Sequence, residues 1–361
     1  MKKVLFITTS ISYGGAAKML VFAAEQLAAK GHQVSIADLQ EASNDQRSVD
    51  SRITVYAMGR NGRAVGRLEQ FRRLYALAGK IRPDVIVSFK YTPNLLAAAV
   101  GKLRRIPVII SERGDPGASS ATSHRFRARL YWKIINSADG AVFQTEGAMK
   151  RYSPRLQKAG TVIPNPVFVP AGFTYNEGEK ENSIVTFGRL ANRQKRYDVM
   201  LDAFARFAGN HPDYVLKIYG SGPDEEQIRK WIEEKGLQGK ALLMGLSKHP
   251  MQDIQKDKIF LITSDFEGIS NSLLEAMAAG LPVVSTDSTP GGARMVIRHG
   301  EDGLLVPCGD AQAIAGALAA FADDEGMAGR CAAKARQVVD RFSPERIGKQ
   351  WEEYVTRMSD K

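Results

Sequence analysis

Two carboxylates, Glu267 and Glu275, stand with seven residues between them in the stretch Asp265-Phe-Glu-Gly-Ile-Ser-Asn-Ser-Leu-Leu-Glu-Ala-Met-Ala-Ala-Gly280. The run Ile259–Thr263 just before it has the composition of a buried strand, so Glu267 and Gly268 emerge at a strand's carboxyl end. Ser272 and Glu275 are three apart where a helix begins, the spacing of a capping box. A helix starting there turns free N–H groups and the positive end of its dipole toward an anion, a natural seat for phosphate. Upstream, Phe187-Gly-Arg-Leu-Ala-Asn-Arg-Gln-Lys-Arg-Tyr-Asp198 places Arg189 just after a strand and Lys195 just before a helix. Two fixed cations suit a departing diphosphate, whose growing charge a well-placed donor stabilises by about 3–4 kcal/mol. The plain alternative is a solvated basic loop beside a capping glutamate.

The elements that must position these residues alternate strand, loop, helix. Short apolar, β-branched runs read as buried strands at Val4–Thr8, Val34–Ala37, Val85–Ser88, Val108–Ser111, Gly140–Gln144 and Thr161–Ile163. After a Pro- and Gly-containing linker over residues 164–180, the alternation restarts at Ile184 and runs through Tyr214–Tyr219, Ala241–Met244, Ile259–Thr263 and Val283–Ser285. Alternation of this kind predicts α/β architecture: two Rossmann-like domains, each a parallel sheet with helices on both faces, with ligand at the strands' carboxyl ends in a cleft. The expected divisions are residues 1–165, residues 166–342, and a last helix, 343–361, packing back on the first domain. A chain of 361 residues is long enough for two cores.

With its flanks the acidic stretch reads Glu-Gly-x-x-Asn-x-x-x-Glu-Ala-Met-Ala-x-Gly-x-Pro-Val, and in this it resembles the retaining family 4 glycosyltransferases of the GT-B fold. The resemblance implies that Glu275 holds the ribose hydroxyls of a nucleotide, that Glu267 contacts the donor sugar, and that Ile269, Ser270, Asn271 and Ser272 present backbone N–H groups to diphosphate and sugar oxygens. It makes Arg189 and Lys195 the diphosphate-binding pair. Arg196 departs from the pattern, because many members carry glycine after the lysine, and it leaves open which of Lys195 and Arg196 faces the ligand. Gly220-Ser-Gly-Pro223 and Gly245-Leu-Ser-Lys-His249 match in order the family's loops around nucleobase and ribose, which brings in Gly220, Gly245 and Ser247; a lone Gly-x-Gly is otherwise a plain turn. Thr286 to Arg294, with Gly291-Gly292, resembles the subgroup acting on lipid-linked surface-sugar precursors.

In the first half, Gly14-Gly15-Ala16 lies between strand and helix and lets backbone approach a phosphate or sugar, so Gly15 is expected at donor or acceptor, the alternative being a tight strand–helix turn. The spacing is not the dinucleotide fingerprint. Ser111-Glu-Arg-Gly-Asp-Pro116 is similar to the Ser-Glu-Arg-Asn-Asp-Pro segment of transferases that build undecaprenyl-linked glycans, with Gly114 in place of asparagine and without the histidine many members carry nearby. Glu112 and Arg113 are therefore candidates for sugar or acceptor binding, the alternative being a structural ion pair. Asn94 either meets acceptor or caps the next helix.

Charge divides unevenly. Residues 1–165 carry 26 Lys and Arg against 11 Asp and Glu, and residues 166–361 carry 24 against 28, giving +15 and −4. The excess concentrates in Arg60, Arg63, Arg67, Arg72, Arg73, Lys80 and Arg82, and in Arg125-Phe-Arg-Ala-Arg-Leu-Tyr-Trp-Lys133. A solvated helix face over a core stripe is one reading of these stretches; an anionic bilayer surface, at about 1 kcal/mol per basic residue near it, is the other and the one expected here. Aromatics are not arranged as stacking platforms, so no nucleic-acid partner is expected. The amino-terminal apolar run ends by Ile7 and reads as a strand, and Cys308 and Cys331 suit a reducing compartment. The expected protein is cytoplasmic and peripheral on the inner face of the cell membrane.

The resemblance thus implies transfer of a hexose or N-acetylhexosamine from a UDP-sugar, with retention, to a hydroxyl of a saccharide or undecaprenyl-diphosphate-linked acceptor. No Asp-x-Asp occurs, Asp265-Phe-Glu267 being the nearest acidic pair, and with two cations and a helix dipole on the diphosphate neither a metal nor another cofactor is expected. The rival readings are a nucleotide-sugar-binding subunit without catalysis and an epimerase, which turns over without acceptor.

Overall fold

The computed structural model describes residues 1–12, 14–40, 48–59, 65–114, 125–176 and 178–360, with side chains omitted for 125–128. Arg60, Arg63, Asp115, Pro116 and the side chains of Arg125 and Arg127 thus lie outside the described residues.

Seven strands, β1 (Lys3–Thr8), β2 (Gln33–Asp38), β3 (Thr54–Ala57), β4 (Val85–Phe89), β5 (Val108–Glu112), β6 (Gly140–Phe143) and β7 (Thr161–Val162), form a parallel sheet in the order β3-β2-β1-β4-β5-β6-β7. Six more, β8 (Glu181–Phe187), β9 (Val215–Tyr219), β10 (Ala241–Gly245), β11 (Asp257–Ile262), β12 (Val283–Thr286) and β13 (Leu304–Val306), form a second parallel sheet ordered β10-β9-β8-β11-β12-β13. In both sheets the order reverses around the first strand, the arrangement that opens a crevice at the strands' carboxyl ends. These are two parallel α/β sheets of the Rossmann type, as the alternation predicts. The edge strands β3 and β13 are additions to that reading.

The chain divides into two compact units, Met1–Asn165 with Pro344–Lys361, and Pro166–Ser343. The terminal helix Pro344–Ser359 joins the first unit because Ile347, Trp351, Tyr354, Val355 and Met358 recur at helical spacing and are all buried. Trp351 stacks on Phe89 of β4 with ring centroids 5.6 Å apart. The Tyr354 hydroxyl accepts from Ala141 N at 2.9 Å and donates to Ala159 O at 2.8 Å, tying the helix to β6.

In the second unit each sheet face carries its own core. Tyr197, Met200, Phe204, Phe207, Ile314 and Leu318 pack on one side, and Leu273, Leu274, Met277, Val296 and Val338 on the other. Both helices that flank the acidic stretch and the basic turn are thereby fixed on opposite faces of the β8–β11 pair. No described helix is long and apolar enough to cross a membrane.

Candidate active site

The second unit brings the basic turn and the acidic loop into direct contact. Lys195 ends a short helix, Asn192–Lys195, that follows β8, and Glu267 lies in the loop after β11, the strand hydrogen-bonded to β8. The Lys195 ammonium donates to Glu267 Oε2 at 2.5 Å, with the side chains only 15% and 21% exposed. Gln194 Nε2 donates to the same oxygen at 3.2 Å and to Phe266 O at 3.2 Å, and Ser264 Oγ donates to it at 3.4 Å. Three donors therefore converge on Oε2, and among the described residues nothing bonds Oε1. The backbone is stitched as well: Asp265 N donates to Gln194 O at 3.0 Å, and Thr263 Oγ1 donates to Lys195 O at 2.7 Å.

Lys195 and Arg196 have separate duties. Lys195 meets Glu267, whereas Arg196 turns to Asp198, Nε to Oδ1 at 3.0 Å, and to Asp265, Nη1 to Oδ2 at 2.7 Å. Those two carboxylates, Asp198 first, raise the guanidinium's pKa further and keep it charged. Its backbone sits in the left-handed region, φ 52°, ψ 51°, which costs a residue with a Cβ roughly 1–2 kcal/mol. That conformation explains why glycine suits the position. Arg189 follows β8, is exposed, and has no ion pair among the described residues. A Cβ placed on Gly188 would lie 3.3 Å from Lys195 Cε, so the lysine runs alongside the residue next to Arg189.

The helix Asn271–Ala278 begins at the loop's far end with Ser270 as its N-cap and no side-chain cap hydrogen bond. The predicted Ser272–Glu275 capping box is therefore not formed: the helix starts two residues earlier than that box requires, and Leu273 occupies the position a box glutamate would need. Ser270 Oγ instead lies 2.9 Å from Ser272 Oγ. Ile269 and Ser270 are buried, and Asn271, Ser272 and Glu275 are partly exposed on the first turns. Glu267 N donates to Thr289 O at 2.8 Å, and a Cβ on Gly292 would come within 1.8 Å of Gly268 O. Gly292, outside the predicted site, is what lets the Ser288–Gly292 segment close on the acidic loop.

Gly220 is likewise more than a plain turn, since a Cβ there would meet Gly188 O at 1.9 Å; Leu190 N donates to Ser221 O at 3.0 Å. Gly220 N donates to Gly245 O at 2.8 Å, which brings the two predicted nucleobase loops together. Ser247 donates to Asp253 at 2.6 Å and accepts from His249 N at 3.1 Å, so its hydroxyl closes its own turn.

In the first unit, Gly15 opens the 15-residue helix Gly15–Ala29, exposed and without a side-chain cap. Glu112 accepts from Tyr152 Oη at 2.9 Å, Arg113 N at 2.9 Å and Gly114 N at 3.2 Å. Burial raises its pKa, offset in part by these donors. Arg113 points elsewhere, over the rings of Phe89 and Trp351 at 4.7 and 5.4 Å, and donates to Asn165 Oδ1 at 3.3 Å. Its Nε is buried without a partner, and burial lowers its pKa to about 9. Neither side chain is spent on the other. Asn94 is fully buried within the helix Tyr91–Arg104, accepting from Ser88 Oγ at 2.8 Å and donating to Ser111 O at 3.3 Å. It therefore does not cap that helix; its side chain joins β4 to the end of β5.

Two family models match in tandem, glycosyl transferase 4-like domain over residues 14–166 and glycosyl transferases group 1 over residues 173–338. Over 214 residues, 59% of this chain, the sequence is 36% identical to an exopolysaccharide phosphotransferase of Streptomyces coelicolor; this match spans 22% of that protein's length. A Campylobacter jejuni enzyme named GalNAc-alpha-(1->4)-GalNAc-alpha-(1->3)-diNAcBac-PP-undecaprenol alpha-1,4-N-acetyl-D-galactosaminyltransferase is 25% identical over 368 positions, covering 100% of both chains. Among solved structures, Anabaena HepE in complex with UDP and glucose superposes with TM-score 0.78 at 18% identity, over 99% of this chain and 100% of that one. The likeness to HepE is one of fold.

Proposed function

Because the chain belongs to the glycosyltransferases of the GT-B type, we propose that it moves a hexose or N-acetylhexosamine from a UDP-sugar to a hydroxyl of a lipid-linked saccharide, with retention. The observation that carries this reading is the Lys195–Glu267 contact at 2.5 Å, beside an Arg189 that has no ion pair among the described residues and a helix start without a side-chain cap hydrogen bond. Arg189, Lys195 and the N–H groups of residues 269–272 hold the diphosphate, Glu275 holds the ribose, and Gly220 and Gly245 border the nucleobase. Glu267 turns its unbonded Oε1 to a sugar hydroxyl. With Oε2 engaged by three donors, Glu267 is a poor nucleophile, which favours displacement on one face of the sugar over a covalent intermediate. The departing β-phosphate oxygen takes the acceptor's proton on that same face, and the growing charge falls on the two cations. No metal is required in this scheme. The name of the Campylobacter enzyme, which specifies an undecaprenol-linked glycan, supports the acceptor class.

In this reading Glu112 and Arg113 bind sugar or acceptor, and Gly15 meets donor or acceptor. The first unit is read as resting on an acidic bilayer. Helices Arg67–Ile81 and Arg125–Ile135 both pack beside Tyr91–Arg104 and expose Arg67, Leu68, Arg72 and Lys80, and Arg129, Leu130 and Lys133 respectively. Leu68 is 68% and Leu130 51% exposed, apolar points among basic residues.

A panel of UDP- and GDP-sugars, offered with lipid-diphosphate saccharides, tests the reading through nucleotide release and the anomeric configuration of the product. Acceptor-dependent release of UDP with a retained anomer is expected. Tight UDP binding without release under any pairing points instead to a non-catalytic subunit, and sugar conversion without acceptor to an epimerase.

A further inference from the structure

Arg196 occupies a strained backbone position, φ 52° and ψ 51°, that a glycine would adopt freely. A side chain persists there when its own contacts hold it. The guanidinium spans from the first turn of a helix to a loop: Nε and Nη2 reach Asp198 Oδ1 and Oδ2, each at 3.0 Å, and Nη1 reaches Asp265 Oδ2 at 2.7 Å. The Asp198 end is fixed, since its own N–H donates to Asn192 Oδ1 at 3.1 Å and it opens the helix Tyr197–Ala208. The Asp265 end is the loop that carries Glu267 two residues on. Of the ties between turn and loop, Asp265 N to Gln194 O and Thr263 Oγ1 to Lys195 O survive any residue at 196. The tie from Arg196 to Asp265 does not.

We propose that the Arg196–Asp265 ion pair is a clamp that sets the Glu267 loop against the Lys195 turn, making Arg196 and Asp265 positioning residues for the transfer step. The proposal rests on the reading of Lys195 and Glu267 as donor-site groups. Both clamp side chains are partly exposed, 28% and 34%, so the pair adds little to global stability. Its effect is local. A carboxylate that must meet a sugar hydroxyl works only when held within about 0.5 Å of its productive place. The charged fork supplies that restraint where glycine would leave the turn free.

Arg196→Gly, Asp265→Ala and the double variant test it. Arg196→Gly removes the clamp and relieves the backbone strain together, so the fold is kept. Each single variant is expected to lower kcat on the order of 10- to 100-fold, the range a misplacement of about 1 Å produces. Donor KM is expected within about twofold of the parent, because nucleotide contacts are untouched. The double variant is expected to be no worse than either single one, as for two halves of one contact. Single variants with parental kcat, multiplying losses in the double variant, or a crystal of Arg196→Gly with the Lys195–Glu267 contact still at 2.5 Å each overturn the clamp. A parent protein that releases no nucleotide overturns the donor-site reading instead, and the crystal comparison still decides the clamp.

Discussion

Replacing Lys195 by alanine separates catalysis from stability. In the fold the ammonium neutralises Glu267 at 2.5 Å, with 15% and 21% of the two side chains exposed. A pair this enclosed is worth more than a surface ion pair, but Gln194 and Ser264 still donate to the carboxylate, so a loss of about 1–3 kcal/mol, or about 2–12 °C in melting temperature, is expected. The effect on turnover is larger. Alanine removes one of two cations beside the leaving diphosphate, a loss of about 3–4 kcal/mol, or roughly 10²–10³ in kcat. It also leaves Glu267 Oε2 with only the longer bonds from Gln194 and Ser264, at 3.2 and 3.4 Å. The assay is UDP release at saturating donor and acceptor, with circular dichroism melts on the same preparations. Asp265→Asn serves as control: its amide oxygen still accepts from Arg196, and a loss of only a few-fold is expected. A Lys195→Ala enzyme within about fivefold of the parent kcat refutes the reasoning, because no role in departure of the diphosphate fits so small an effect.

Other outcomes follow from the same geometry. Glu275→Ala is expected to weaken UDP binding by about 1.5–3 kcal/mol, the range for hydrogen bonds to a charged group, read by calorimetry, with kcat at saturation largely kept. Turnover is expected to persist in excess chelator; a strict requirement for a divalent ion, restored on adding it back, contradicts the metal-free scheme. Trp351→Ala removes a side chain 1% exposed between Phe89 and Arg113 and is expected to cost about 3–5 kcal/mol, giving an earlier transition for the first unit while UDP affinity, housed in the second, is unchanged. Arg72→Glu with Lys133→Glu is expected to reduce cosedimentation with anionic vesicles by at least about 2 kcal/mol, whereas a parent that ignores such vesicles at low salt removes the membrane reading.

Much of the architecture could be read from residue types because buried parallel strands are continuous β-branched runs punctuated by Gly and Pro. The edge strands were not legible for the same reason inverted. Thr54–Ala57 is largely exposed, and Leu304–Val306 is too short to carry a pattern. At the site, residue types put Arg189 just after a strand, Lys195 before a helix and Glu267 at a strand's carboxyl end, but did not show the pairing of those two strands or the division of labour between Lys195 and Arg196. That depends on a left-handed backbone, which residue type alone does not reveal; the glycine many family members carry there was the available signal. Gln194 was overlooked because its role rests on a loop over 70 positions downstream. Gly292 shares that origin, its need being set by Gly268 across the fold. The capping box failed locally: Ser270, Asn271 and Ser272 are all competent caps, and spacing cannot choose among them.

The most direct test is a crystal structure with UDP bound. The account predicts the diphosphate between Arg189, Lys195 and the start of the helix Asn271–Ala278, with both ribose hydroxyls on Glu275. UDP seated elsewhere, or Arg189 and Lys195 both turned from its phosphates, contradicts it.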